Sequence, residues 1–227
     1  MKTKPTYIAI EGIDGSGKTV QIAQLLDEIS GAGYRCREVS FPQYDGFFGE
    51  QIGAMLSGRH SVRADEVDAR SMALWYAADR MRTMRNICPD DYDYIILNRY
   101  TLANAAYQGS RCKDSTPLEF AKWVFDMEEI EFQLPVPDLY LIFDVSPALS
   151  AQNVAAKGYR DYTGDSADVY EKSSSILTDA RSLYREFAAM YDSMELLECH
   201  ENGRMKSPEA IHQAVMDILT QRGLWKR

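Results

Sequence analysis

Apolar positions in this chain follow two patterns. Tyr7-Ile8-Ala9-Ile10, Tyr94-Ile95-Ile96-Leu97 and residues 139–145 are short continuous apolar runs, the pattern of strands covered on both faces. Residues 36–41 and 195–199 read as two further strands. Between them the spacing turns helical. From Val20 the apolar residues recur at Ile22, Leu25, Leu26 and Ile29, with Gln21, Gln24, Asp27 and Glu28 interspersed, and Gly31-Ala32-Gly33 offers a left-handed stop. A short helix ends at Ser57 before Gly58. A long one covers 65–87 and is broken by Pro89-Asp90-Asp91. Thr116-Pro117-Leu118-Glu119 combines an N-cap, a proline at the first helical position and a capping-box glutamate, opening a helix to about Phe132. Ser146-Pro147 and Ser207-Pro208-Glu209 start two more, and another spans 170–192.

Five strands alternating with helices predict an α/β fold, a doubly wound, mainly parallel five-stranded sheet with helices on both faces. No repeat, low-complexity segment or linker interrupts the chain, so residues 1–227 read as a single domain. Ligands of such sheets sit at the carboxyl ends of the strands. Residues 11–19, 41–44, 98–109 and those after Asp144 are therefore expected to carry the chemistry.

The first of these stretches is the most specific. Gly12-Ile13-Asp14-Gly15-Ser16-Gly17-Lys18-Thr19 fits G-x-x-x-x-G-K-[ST], the phosphate-binding P-loop, and its setting between a strand and a helix is the one the motif requires. Glycines let successive backbone N–H groups turn onto phosphate oxygens. Lys18 is expected to reach the β- and γ-phosphates of ATP, and the Thr19 hydroxyl to ligate Mg²⁺. The fold is therefore of the P-loop NTPase type.

Composition narrows the partners. Of 227 residues, 45% are hydrophobic and 26% charged, which suffices for a full core. A formal net charge of −9 argues against a nucleic-acid-coating surface. No apolar run approaches membrane-spanning length, and Met-Lys-Thr-Lys-Pro leads straight into the first strand, leaving no room for a signal peptide. The four cysteines, Cys36, Cys88, Cys112 and Cys199, form no C-x-x-C pair, which suits reduced thiols in the cytoplasm.

Asn98-Arg99-Tyr100 directly follows the third strand. An arginine there faces the phosphates held by the P-loop and can take an acceptor phosphate bidentately; a surface salt bridge is the lesser alternative. Phe41-Pro42, Leu74-Trp75-Tyr76-Ala77-Ala78-Asp79-Arg80, Asn98-Arg99-Tyr100, Asn104-Ala105-Ala106-Tyr107-Gln108-Gly109 and Pro137-Asp138-Leu139 follow in order. With the P-loop they make the chain resemble the thymidylate kinases, which transfer the γ-phosphoryl of ATP to dTMP.

The resemblance implies a set of roles. Asp14 holds the acceptor sugar, Tyr76 stacks on thymine and Arg80 reaches its carbonyl, one helical turn away on the same face. Asn104 bonds the pyrimidine edge, and Tyr107 lies beneath the sugar and rejects a 2′-hydroxyl. Phe41, Tyr44, Gln108 and Tyr170 complete the acceptor site, and Arg99 takes its phosphate. Taken singly, Tyr76 or Tyr107 is as readily a packed aromatic. The resemblance also implies a lid at about 153–171 that supplies a catalytic cation, Arg160 first and Lys157 second. It places adenine against residues 200–206 and implies a homodimer, for which Met72, Trp75 and Met81 could serve either the interface or the core.

Two departures stand out. Asn98 replaces the family's usual aspartate, keeping the hydrogen-bonding shape but losing the charge, and Gln43-Tyr44 lies where many members carry an arginine. Asn98 keeps a third reading open, a nucleotide-binding switch of weakened turnover. A kinase for another pyrimidine monophosphate is the second.

Overall fold

The apolar runs become the middle of the sheet. In the computed structural model, which describes residues 4–156, 169–170 and 173–225, there are five long strands. These are β1 (Thr6–Glu11), β2 (Cys36–Ser40), β3 (Tyr94–Asn98), β4 (Leu139–Asp144) and β5 (Met194–Glu198). They pair in the order β2-β3-β1-β4-β5, all parallel. β1 and β4 are buried along their whole length, and β3 up to Asn98. Edge strand β2 exposes Arg37 and Glu38, as an edge that must not pair further does.

Side chains alternate across the sheet with period two. Tyr7, Ala9, Ile95, Leu97, Tyr140 and Ile142 face one core, and Ile8, Ile10, Tyr94, Ile96, Leu141 and Phe143 the other. The second core is closed by α1 (Lys18–Gly31), with Ile22, Leu25 and Ile29, and by the C-terminal helix Pro208–Gln221, with Ile211, Val215 and Leu219. The first is closed by α2 (Phe47–Ser57), α3 (Ala69–Met84), α4 (Thr101–Gly109), α5 (Pro117–Phe125) and a helix at Ser174–Met190. Between β4 and that last helix lies α6 (Pro147–Ala156), so Ser174–Met190 is α7 and Pro208–Gln221 is α8.

Several boundaries differ from the sequence pattern. Helix α3 starts at Ala69, not 65, because the Asp68 carboxylate accepts from the Ser71 N–H at 2.9 Å and caps it there. Helix α7 starts after Ser173, whose hydroxyl accepts from the Ile176 N–H, and Tyr170 precedes it in a turn. Helix α4 falls where the pattern sets no element. Nearly all its residues are buried, so no polar face marks its period. Helix α5 has the expected capping box at Thr116 and Glu119 and continues as a π-turn over Asp126–Glu131. A two-residue antiparallel hairpin, β6 (His200–Glu201) and β7 (Arg204–Met205), is too short for any pattern to announce. Met72 is wholly buried, which assigns it to the core, whereas Trp75 and Met81 are half-buried. No helix among the described residues is long and apolar enough to cross a membrane.

Candidate active site

Parallel strands of matched register bring their carboxyl ends to one edge, where Ile10, Ser40 and Asn98 stand side by side and Glu11 follows. The P-loop leaves this edge. Gly12 has φ 127° and a Cβ there would lie 2.5 Å from the Phe143 carbonyl oxygen. Gly15 has φ 70° and a Cβ would lie 2.5 Å from the Ser150 carbonyl oxygen. Both positions exclude a side chain twice over, by backbone conformation and by space. Lys18 Nζ crosses the loop and donates to the Gly12 and Ile13 carbonyls, each at 2.9 Å. Helix α6 braces the other side: Ser150 Oγ donates to the Asp14 carbonyl at 2.6 Å and Asn153 Nδ2 to that of Gly15 at 2.7 Å. Helix α1 begins after Gly17 without a side-chain cap, so no capping side chain covers its positive dipole end, the end that favours an anion.

Behind the loop, Glu11 is fully buried. Burial pushes its pKa up, against the hydrogen bonds it accepts from the Tyr100 N–H at 2.7 Å and the Tyr184 hydroxyl at 3.0 Å. That anchor on Tyr100 fixes the neighbouring Arg99, whose φ of 61° is unusual for a residue with a side chain. Arg99 Nη2 donates to Asp14 Oδ1 at 2.7 Å, and its guanidinium lies 5.4 Å from the centre of the Tyr107 ring. The Tyr107 hydroxyl reaches Asp14 Oδ2 at 3.5 Å. Beside them Asn98 Nδ2 donates to Ser40 Oγ at 3.1 Å, Ser40 in turn donates to Glu38 Oε1 at 2.8 Å, and the buried Asn98 Oδ1 has no partner among the described residues.

The far end of the cleft is built by α3, α4 and the π-turn. Arg80, 2% exposed, donates from Nε and Nη2 to the two oxygens of Glu128, each at 2.6 Å. Asn104 Nδ2 donates to Glu128 Oε1 at 2.9 Å and to the Ala73 carbonyl at 3.0 Å. Gln108 is held by Arg111, which donates to its Oε1 at 2.6 Å and also to the Tyr170 hydroxyl at 2.7 Å. Tyr170 stacks on Tyr107 with ring centres 6.2 Å apart.

One cleft of about 600 Å³ joins the two ends. Asp14, Gly15, Ser16, Gly17, Lys18 and Thr19 line it on the P-loop side. Phe41, Tyr44, Tyr76, Arg80, Asn98, Arg99, Asn104, Tyr107, Gln108 and Tyr170 line the rest. Gly12 and Ile13 contribute their carbonyls to Lys18 instead. Arg160 and Lys157 lie outside the described residues, as does most of the lid segment. Glu128, Ser40 and Arg111 lie outside the stretches the sequence singles out, whereas Glu11, Ser150 and Asn153 lie within them but have no role assigned there. Glu128 had left a signal. Phe120, Ala121, Val124 and Met127 set a buried helical stripe on which Glu128 also falls, and a carboxylate in such a stripe needs a cation.

Among the described residues Asp144, Glu198 and His200 also approach one another closely enough to suggest a metal. The Asp144 carboxylate is already taken by Arg181 at 2.7 and 2.8 Å and by Arg185 at 2.5 Å, so the cluster reads as an ion-pair network.

The family model described as thymidylate kinase matches residues 10–201. A thymidylate kinase of Mycobacterium tuberculosis is 33% identical over 186 residues, covering 80% of this chain and 85% of that one. A probable thymidylate kinase of Pyrobaculum aerophilum is 32% identical over 186 residues, covering 81% and 83%. A solved thymidylate kinase from Candida albicans superimposes with a TM-score of 0.73 at 18% identity over 97% of this chain and 93% of that one, a likeness of fold. The chain belongs to the thymidylate kinase family.

Proposed function

We propose that this chain transfers the γ-phosphoryl group of ATP to dTMP, giving dTDP and ADP. The observation that carries the reading is the single cleft with a P-loop at one end and a buried, polar, aromatic-walled recess at the other. Family membership and the names of the relatives supply the substrates. The acceptor's phosphate is already anionic, so no general base is needed and catalysis is alignment plus charge neutralisation.

In this reading the loop 12–19 holds the phosphates of ATP, with Lys18 on the oxygens of the transferring group. Arg99, kept in its strained conformation by the Glu11–Tyr100 contact, turns between Asp14 and the acceptor phosphate. Asp14 holds the acceptor sugar, Tyr107 lies beneath it, and Phe41, Tyr44, Gln108 and Tyr170 close the recess. Tyr76 stacks on the base while Arg80 and Asn104 meet its edge. The Thr19 hydroxyl and the Asn98 Oδ1, without a partner among the described residues, are oxygen donors of the kind Mg²⁺ takes. When bound, Mg²⁺ would neutralise phosphate charge. Arg160 remains the candidate lid cation.

The four unbridged cysteines suit a reducing cytoplasm. Exposed Leu74 and half-buried Trp75 and Met81 on α3 suit a homodimer, tested by a solution mass twice the 25.8 kDa chain. The test of the activity itself is Lys18→Ala. Turnover of ATP with dTMP should fall about a thousandfold or more, the scale of losing a cation on the transferring phosphoryl. Near-normal turnover in a folded variant would sink the reading.

A further inference from the structure

We infer that Glu128 sets the base selectivity of the acceptor recess by dictating which atom of the Asn104 amide faces the ligand. The inference rests on the proposed nucleotide kinase reading and assigns a role to a residue that touches no substrate.

An asparagine amide can be turned either way, and its neighbours decide which. On the protein side Asn104 meets Glu128 Oε1 and the Ala73 carbonyl oxygen. An ionised carboxylate and a carbonyl can only accept. Both therefore demand the NH₂ group, and the amide has no choice. Its Oδ1 is left buried, without a partner among the described residues, in a side chain that walls the cleft. A buried carbonyl oxygen of this kind calls for a ligand donor. The same carboxylate engages Nε and Nη2 of Arg80, which leaves Nη1 as the guanidinium nitrogen not bound to Glu128. The recess thus offers an acceptor at Asn104 and a donor at Arg80.

Among pyrimidines, the edge that answers this order has a ring N3–H beside a C4 carbonyl, as in thymine and uracil. Cytosine presents the reverse, an unprotonated N3 beside an amino group. Glu128 thereby works as a positioning residue for discrimination between keto and amino pyrimidines. A glutamine there would carry an NH₂ of its own. Placed against Asn104, that group would favour the flipped amide and turn a donor toward the cleft. At either position it would also face Arg80 and break the guanidinium pair.

The experiment is steady-state kinetics with ATP on the wild type, Glu128→Gln and Glu128→Asp, using dTMP and dCMP as acceptors. The expected result is that Glu128→Gln lowers the dTMP-to-dCMP ratio of kcat/KM by about tenfold or more, mainly through KM for dTMP, because an unpaired polar edge penalises the substrate it was built for. Glu128→Asp, still acceptor-only, should keep the ratio closer to wild type. A wild type active on dTMP whose ratio moves less than about twofold in Glu128→Gln, both acceptors declining together, overturns the inference alone. A wild type inactive on dTMP overturns the functional reading and this inference with it. If Glu128→Gln does not fold, N3-methyl-dTMP on the wild type decides. A KM about tenfold or more above that of dTMP supports the acceptor at Asn104, and equal use of the two overturns it.

Discussion

Asn98 and Asn104 stand at opposite ends of the cleft, each with its NH₂ given to the protein and its Oδ1 left without a described partner. At Asn98 the ordering partner is Ser40, itself turned by Glu38, and in the proposed reading the oxygen is offered to Mg²⁺. An amide oxygen is a weaker ligand for Mg²⁺ than a carboxylate because it brings only a dipole. Asn98→Asp should therefore lower the Mg²⁺ concentration needed for half-maximal activity several-fold, read from a metal titration at saturating ATP and dTMP. An unchanged titration would remove Asn98 from the cation's surroundings. At Asn104 the ordering partner carries a full charge that also neutralises Arg80 deep in the protein. Removing one member of such a buried pair costs about 3–5 kcal/mol, so Arg80 and Glu128 belong to the stability of the fold as well as to the recess.

The elements around the site are held by their ends. Helix α3, which carries Tyr76 and Arg80, is started by Asp68. Hydrogen bonds from Ser71, side chain first and backbone second, hold the Asp68 carboxyl below the usual aspartate range. A depressed folded pKa contributes stability that is present above the unfolded pKa and lost as pH falls through the folded one. Asp68→Ala should cost about 1 kcal/mol at about neutral pH, as for loss of an N-cap. The gap between variant and wild type should then narrow as pH falls below the ordinary aspartate value of 3.8, as urea denaturation at neutral and at acid pH would register. A gap independent of pH would mean that the capping charge is not what starts the helix. Helix α6 acts differently. Through Ser150 and Asn153 it fastens the carbonyls of Asp14 and Gly15, so the element that precedes the proposed lid also shapes the P-loop.

Across the whole molecule, the sequence revealed most where a single period dominates. β1, β3 and β4 are continuous apolar runs because helices cover both their faces, and the P-loop pattern lies between a strand and a helix as it must. Order along the chain then brought Tyr76, Arg80, Asn104 and Tyr107 to one cleft with Lys18 and Arg99. Helix α4 escaped notice because burial on nearly every side erases periodicity. Ser150 and Asn153 escaped because their partners lie 136 and 138 residues away, a distance over which no local spacing speaks. Glu128 was legible only as a charge on an apolar stripe, and its pairing with both Arg80 and Asn104 needed coordinates.

The central claim is that the P-loop and the recess belong to one reaction. It is tested most directly by ADP release from ATP–Mg²⁺ with dTMP, dUMP, UMP, CMP, dCMP, AMP and GMP, each against a control without acceptor. Release should depend on the acceptor and be fastest with dTMP. Release that ignores the acceptor would contradict it, whereas release that prefers a cytosine or purine monophosphate would keep the shared reaction and overturn the reading of Arg80, Asn104 and Tyr107.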